Sequence, residues 1–259
     1  MALHEDRRRA ESFGDDPLLY DRVRPGYPPE LVDDLVAESP ADVLDVGCGT
    51  GIVSRLFLGR GCQVLGVEAD PRMAEVARQL GCQVEVSRFE EWEPADRSFD
   101  LVVSGQAWHW VEPESGARAA AVCLRSGGRF AAFWNETVHS AETMEMFLGI
   151  YRRLAPKLIE FSMVLGTARP YIPADPLQDP TVLALVATGE FHSPARKLYR
   201  WQRRYAVQDW LGLLRTASDH RQLSDVRLAG LLAELERQLE GTEELRVGYE
   251  TRLLELART

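Results

Sequence analysis

A carboxylate at Asp45, glycines at Gly47, Gly49 and Gly51, and a second carboxylate at Glu68 are the residues best placed to hold a ligand. The glycines follow an apolar run, Val43, Leu44 and Val46. They precede Ile52, Val53, Leu56 and Phe57, which fall at helix-face spacing. That order predicts a buried strand, a tight turn and a helix N-terminus. Glycine lets the backbone come close to a ligand, and a helix start offers N–H groups without partners of their own. Two familiar ligands for such a turn do not fit. A P-loop needs a lysine after its glycines, and none follows here. A dinucleotide turn, G-x-G-x-x-G, would carry its third glycine at position 52, which is Ile52.

These groups must be positioned by alternating strands and helices. The pattern predicts strands over 43–46, 63–68, 83–86, 99–103 and 129–134. Helical faces lie between them. Leu31, Val32, Leu35 and Val36 form one; Met73, Val76, Ala77 and Leu80, after Asp70-Pro71, form another. Ala117, Ala120, Ala121 and Leu124 form a third, stopped by Gly127-Gly128. The fold class is therefore α/β, a mostly parallel sheet with helices on both faces. Residues 1–19 are polar and expected to fray, and residues 20–29, with three prolines, read as a loop of fixed shape. After residue 135 the rhythm changes. A helix is expected over 143–154, an irregular stretch with five prolines over 156–180, and a helix over 181–187. Residues 201–205 alternate as a sixth strand, 207–217 and 222–240 read as helices, and 249–256 reads as a strand returning to the sheet. The organisation is a core over 20–135, a largely helical cap insertion over 136–195, and a segment 196–259 completing both.

The 259 residues are 45% hydrophobic and 27% charged, an ordinary globular balance. Net charge is −10 and the pI is near 5.1, which argues against a nucleic-acid partner. The four cysteines have no C-x-x-C spacing, and no His/Cys pattern suggests a metal site. A reducing, cytoplasmic setting is expected, with no signal peptide and no membrane span.

Four words of the sequence, in order, carry a resemblance: Leu44-Asp45-Val46-Gly47-Cys48-Gly49-Thr50-Gly51, Gly66-Val67-Glu68-Ala69-Asp70, Ser98-Phe99-Asp100-Leu101-Val102 and Leu124-Arg125-Ser126-Gly127-Gly128-Arg129. The region resembles class I S-adenosylmethionine (SAM)-dependent methyltransferases, over about residues 20–135. Arg24-Pro25-Gly26-Tyr27-Pro28 and Ala107-Trp108-His109-Trp110-Val111 look more narrowly like a bacterial subgroup, methyltransferase type 11, that includes trans-aconitate methyltransferase-like proteins. The resemblance implies a Rossmann-like core with SAM as cofactor, S-adenosylhomocysteine as product and no metal. It implies that Gly47, Cys48, Gly49 and Gly51 make room for the cofactor's methionine and ribose, with Asp45 supporting the turn or the methionine end. Glu68, ending the second strand with Ala69 after it, can accept hydrogen bonds from both ribose hydroxyls; a helix-capping acid is the alternative. Where relatives carry an Asp for the adenine amine this chain has Arg88, which accepts nothing. Adenine is then left to the backbone near Phe89, to packing on Phe89 or Met73, and to Glu90 as acceptor. Gly105 and Gln106 should lie near the methionine part. Tyr20 and Arg24 can fold over the site, Arg24 suiting a carboxylate of cofactor or substrate.

The acceptor side is expected at the strand ends carrying Trp108, Trp110, Trp134 and Asn135. Aromatic walls suit an apolar substrate and a sulfonium, with plain core packing as the alternative. Trp108 and Trp110, two apart, would share one face of a regular strand. His109 is the candidate catalytic base, or else a buried structural histidine. Three functions follow: methyl transfer to an O, N or C nucleophile of a small molecule, methylation of a protein or tRNA, or SAM binding without catalysis. The acceptor and the oligomeric state are not written in the sequence.

Overall fold

The computed structural model describes residues 3–6, 9–10, 12–160, 162, 164–166 and 178–259. Strands β1 (Asp42–Val46), β2 (Gln63–Glu68), β3 (Gln83–Val86), β4 (Phe99–Gly105), β5 (Leu124–Val138), β6 (Phe191–Ala206) and β7 (Glu244–Arg258) form one seven-stranded sheet. Its order is β3-β2-β1-β4-β5-β7-β6. The first five pair in parallel, and β7 runs antiparallel to both β5 and β6. The chain moves outward from β1 to β3, then returns to place β4 on the other side of β1. That reversal opens a crevice beyond the carboxyl ends of β1 and β4.

Helices α1 (Pro17–Val23) and α2 (Pro29–Val36) precede the sheet. Helices α3 (Ile52–Leu58), α4 (Pro71–Gln79) and α5 (Pro113–Cys123) return the chain between parallel strands. Side chains on a strand alternate between faces, so the sheet feeds two cores. Leu44, Val46, Val102, Phe130 and Trp134 enter one; Val43, Leu101, Val103, Ala131 and Phe133 enter the other. Burial on both faces is why β1 and β4 read as nearly continuous apolar runs. A third core joins α6 (Ala141–Leu154), α8 (Val207–Thr216) and α9 (Asp225–Gln238) to β6 and β7 through Phe147, Tyr151, Trp210, Leu235 and Tyr249. Helix α7 (Pro180–Ala187) packs on α5. Each fully buried Leu or Phe side chain contributes about 1.5–3 kcal/mol.

The structure departs from the sequence reading at several places. Leu124, expected on a helix that Gly127-Gly128 would stop, opens β5, because the helix already ends at Cys123. Residues 20–23 are the last part of α1, not loop, because Pro17 starts the helix and Asp16 caps it by accepting from Leu19 N. The N-terminal residues expected to fray form short helical turns, Leu3–Glu5 and Ser12–Asp15, packed against the rest of the chain. The sixth strand is far longer than 201–205. Half of β6 faces outward, so alternating charged residues conceal it. Most of the proline-rich stretch expected to be irregular, residues 161, 163 and 167–177, lies outside the described residues.

Asn135 ties these layers together and is buried in the sheet rather than set in a pocket. Its Nδ2 donates to the Gly26 carbonyl at 2.9 Å, and its Oδ1 accepts from Thr251 Oγ1 at 2.5 Å. Thr251 Oγ1 in turn accepts from Trp201 Nε1 at 2.8 Å. Replacing Asn135 by Ala strands the Gly26 carbonyl and the Thr251 hydroxyl in a dry site. We expect a loss of about 2 kcal/mol in urea unfolding; an unshifted midpoint would show that the bridge contributes nothing.

Candidate functional site

The turn after β1 is held by backbone and one side chain. Gly47 N donates to the Val67 carbonyl at 2.8 Å, which fastens the turn to β2. Gly47 has φ +66°, and a Cβ there would lie 2.5 Å from the Ala107 Cβ. An alanine would be both strained and crowded at this position. Glu68 then joins two elements. Its Oε2 accepts from Gly49 N at 2.8 Å and its Oε1 from Asp70 N at 2.9 Å. Burial, the largest influence, raises the Glu68 carboxyl above its ordinary range. Capping of α4 falls to Asp70, which accepts from Arg72 N. Asp45 lies beneath the turn, wholly buried, and accepts from Ser54 Oγ of α3 at 2.6 Å. Burial pushes its carboxyl up to about 7.

Above this turn lies a cavity of about 430 Å³. One wall is Gly47, Glu68, Ala69, Met73, Phe89 and Glu90, and another is Gly105, Gln106, His109 and Trp110. Tyr20 and Arg24 line it from α1 and its C-cap. A side chamber of about 50 Å³ is lined by Tyr20, Arg24, Gly47, Cys48, Gly49 and Gln106, among others. Gln106 has an unusual backbone, φ +56°, which sets its side chain at the junction. Its Nε2 donates to the Asn135 carbonyl at 3.3 Å, while its buried Oε1 accepts no hydrogen bond.

Two arginines carry charge into the cavity without an acidic partner among the described residues. Arg24 donates from Nε to Thr216 Oγ1 at 3.1 Å and from a terminal nitrogen to the Thr216 carbonyl at 2.6 Å. Its guanidinium sits 4.6 Å from the Tyr20 ring centroid. Arg9 donates from Nε to Ser218 Oγ at 3.0 Å and lies 5.8 Å from the Trp110 ring. By contrast, Arg88 pairs with Glu90 and with Glu91.

Several expected residues sit elsewhere. Trp108 and Trp110 occupy a 3-10 turn rather than a strand, so they do not share a face. Trp108 turns into the core against Phe130, ring centroids 4.5 Å apart, while Trp110 lines the cavity. Trp134 and Asn135 are also buried away from its wall. Asp45 and Gly51 lie behind the turn; a Cβ on Gly51 would meet Cys82 Sγ at 2.6 Å. Cys48 reaches only the side chamber. Glu90 reaches the wall, but its carboxylate is engaged by Arg88.

His109 is in the wall yet poorly suited to act as a base. Trp134 Nε1 donates to its Nδ1 at 3.0 Å, so the neutral ring carries its hydrogen on Nε2. Burial, reinforced by the positive charge of Arg9, lowers its pKa to about 3. The ring can offer an N–H; it does not draw a proton near neutral pH.

The cavity also includes residues that the sequence reading missed. His4, Arg9, Ala10 and Phe13 close it from the N-terminal side, and Ala217, Ser218 and Asp219 close it from the end of α8. Phe13 meets Tyr20 and Trp110 edge-on, at 5.9 and 5.8 Å. Phe13 was the one aromatic in an otherwise polar stretch, the only local sign of burial. Nothing near residues 217–219 in sequence marks them. Among the described residues, no cluster of three His, Cys, Asp or Glu could hold a metal ion, and no helix is long and apolar enough to cross a membrane.

Comparison with known proteins bears on the fold and on residues 44–132. Residues 44–132 match the family described as a methyltransferase domain. An uncharacterised methyltransferase of Mycobacterium bovis is 40% identical over 126 residues, 48% of this chain and 52% of that protein. The trans-aconitate 2-methyltransferase of Mycobacterium tuberculosis is 33% identical over 96 residues, 36% of each chain. The chain thus spans about half the length of the first of these relatives, or less. Among solved structures, a candidate type II methyltransferase from Anaeromyxobacter dehalogenans superposes with TM-score 0.57 at 23% identity, over 90% of this chain and 97% of that one. Phosphoethanolamine N-methyltransferase 2 of Haemonchus contortus, solved with S-adenosyl-L-methionine, superposes with TM-score 0.53 at 15% identity, over 99% of this chain and 60% of that one. The Rossmann-like α/β fold is shared with these solved structures, and residues 44–132 match the methyltransferase-domain family model.

Two measurements probe the buried titrating groups. The Asp45 carboxyl titrates near 7 when folded and near 3.8 when exposed, so the folded state binds the extra proton between those values. Stability from this group is present at low pH and lost as pH rises through about 7. Asp45→Asn mimics the protonated acid. It should gain stability relative to wild type as pH rises from about 5 to 8, by up to about 2.6 kcal/mol in paired urea melts. A constant difference between the two proteins would refute the burial account. For His109, ring resonances should show no titration between about pH 5 and 8 in NMR; a midpoint near 6.5 would restore it as a base.

Proposed function

We propose that this chain is an S-adenosylmethionine-dependent methyltransferase acting on a small molecule. The observation that carries the reading is the joining of Gly49 and Asp70 backbone N–H groups by Glu68, at the strand-order reversal and on the wall of the cavity above the glycine turn. Each Glu68 oxygen accepts one backbone hydrogen bond and keeps capacity for another, as two ribose hydroxyls require. Phe89 and Met73 offer an apolar bed for adenine beside it. Arg24 and Gln106 line both the cavity and the side chamber with unlike offers, a cation and a buried acceptor that takes no hydrogen bond. Those suit the carboxylate and ammonium of the cofactor's methionine end. The fit therefore rests on groups this chain leaves unsatisfied, not on the glycine pattern alone.

Bound S-adenosylmethionine supplies an electrophilic methyl on a sulfonium. The chain's own part is to bind and orient. Gly47 brings backbone close, and Phe13, Tyr20 and Trp110 exclude water. A small acceptor is favoured by the enclosed cavity, whose size lies in the range of small-molecule sites. The net charge of −10 weighs against RNA.

The test is calorimetry with S-adenosylhomocysteine, then labelled methyl transfer in cell extract. We expect binding in the wild type and about 10- to 100-fold weaker binding in Glu68→Gln. NAD binding without S-adenosylhomocysteine binding would overturn the cofactor. Label recovered in protein or RNA, rather than in a low-mass fraction, would overturn the small-molecule acceptor.

A further inference from the structure

The side chamber carries one polar group that the contacts assigned to Arg24, Gln106 and Glu68 leave unused, the phenol of Tyr27. Tyr27 lies between α1 and α2, after Arg24-Pro25-Gly26. Its ring meets Phe133 of β5 edge-on, centroids 4.7 Å apart. Its Oη rests against the end of β4, where a Cβ on Gly105 would lie 2.8 Å from it. The backbone before the ring is fixed as well. Asn135 Nδ2 donates to the Gly26 carbonyl at 2.9 Å, and the Asn135 carbonyl accepts from Gln106 Nε2 at 3.3 Å. One residue of β5 thus holds the backbone beside Tyr27 and the side chain of Gln106, and both of those residues line the chamber.

Among the described residues Tyr27 Oη makes no hydrogen bond, and it is not one of the unpaired atoms sealed from the surface, as Gln106 Oε1 is. The oxygen therefore opens into the chamber that the residue lines. Burial, the largest influence, raises the phenol well above its ordinary range, and the neighbouring Tyr20 and Asp45 add to that. The phenol keeps its hydrogen, so it is a donor without an acceptor. Arg24 lies close enough for its charge to act on the phenol in the opposite direction. The Arg24 guanidinium bonds to Thr216 and has no acid beside it among the described residues. The chamber thus presents a neutral donor and a cation together. An anion with several lone pairs satisfies both.

We propose that Tyr27 Oη donates a hydrogen bond to the carboxylate at the cofactor's methionine end, alongside Arg24, and so selects for a cofactor that carries that carboxylate. The inference rests on the S-adenosylmethionine reading, since it assigns a contact to that ligand. S-adenosylmethionine has one anionic group, and its two oxygens allow one to meet the guanidinium while the other meets the phenol. The chamber, of about 50 Å³ beside Gly47 and Gly49, has room for a small polar end group and none for a nucleobase. Tyr27 acts here as a binding residue, not as an acid or base, because its hydroxyl keeps its hydrogen throughout. Phe133 and Asn135 are positioning residues: the first holds the ring and the second the backbone beside it.

The experiment compares full-length wild type with Tyr27→Phe, which keeps the ring against Phe133 and removes only the hydroxyl. Two ligands are titrated by calorimetry: S-adenosylhomocysteine, and its decarboxylated analogue, which keeps the ammonium. We expect S-adenosylhomocysteine to bind the variant about tenfold more weakly, and the analogue to bind both proteins within about twofold. Retained binding of the analogue shows that the variant is folded and its site intact. Equal losses for the two ligands overturn the proposal, because the hydroxyl would then serve the site at large and not the carboxylate. An affinity for S-adenosylhomocysteine that Tyr27→Phe leaves unchanged overturns this proposal alone. Failure of the wild type to bind S-adenosylhomocysteine overturns the cofactor reading and this proposal together.

Discussion

One buried carboxylate sets the geometry of the site. Glu68 accepts from Gly49 in the first turn and from Asp70 at the start of α4, so it joins β1, β2 and two helix N-termini through a single side chain. Neither donor has a regular secondary-structure partner. Without the carboxylate both would be left unmet where the backbone must approach a ligand. The acid's cost of burial, visible in its raised pKa, is offset by these N–H groups and by the positive ends of α3 and α4. Asp45 adds a second acid beneath, held by Ser54. The turn thus rests on a carboxyl at each level, both raised by burial.

What the sequence makes legible is local. The strand, turn and helix over residues 43–57, the acid ending β2 and the residues after β4 lie within short windows whose periodicity survives folding. The helices at 207–217 and 222–240 are legible for the same reason and occur as α8 and α9, a few residues shorter. The side of the sheet on which an aromatic falls is less so. Trp108 turns inward because a 3-10 turn does not alternate, and Trp134 is carried by the face of β5 that feeds the core. The farther wall of the cavity is illegible locally. Ser218 and Asp219 reach it only because α8 packs on α1, a contact between segments far apart in the chain. Phe13 is recruited likewise by Tyr20 and Trp110. Its polar neighbours suggested a loose terminus, yet Asp15 is bonded by both Arg72 and Arg221.

The two sides of the cavity also differ in kind. The sheet side is built from backbone N–H groups, glycines and carboxylates, and its parts are fixed by strand pairing. The opposite side is built from long side chains, Arg9, Arg24, Phe13 and Trp110, held by rings and hydroxyls. A rigid floor under an adaptable cover is how one fold carries many acceptors: the floor holds what is common to the reaction, and the cover what varies. Asp219 belongs to the cover but is held as firmly as the floor, through His220 and Tyr151 in the third core.

The placement of β7 bears on how the chain is made. It lies between β5 and β6 although it follows both in sequence. While the ribosome is still delivering residues before 244, β5 has an open edge and β6 has no sheet to join. Trp201 then lacks Thr251, and Asn135 lacks one of its two partners. The parallel half, with the glycine turn, can pair as soon as β5 emerges, but the other half waits for one late strand to enter between two waiting neighbours. Such long-range pairing is slow and exposes strand edges meanwhile. For this chain the hazard of misassembly therefore gathers at a single seam, and the alternating charges along β6 stand guard over it until β7 arrives.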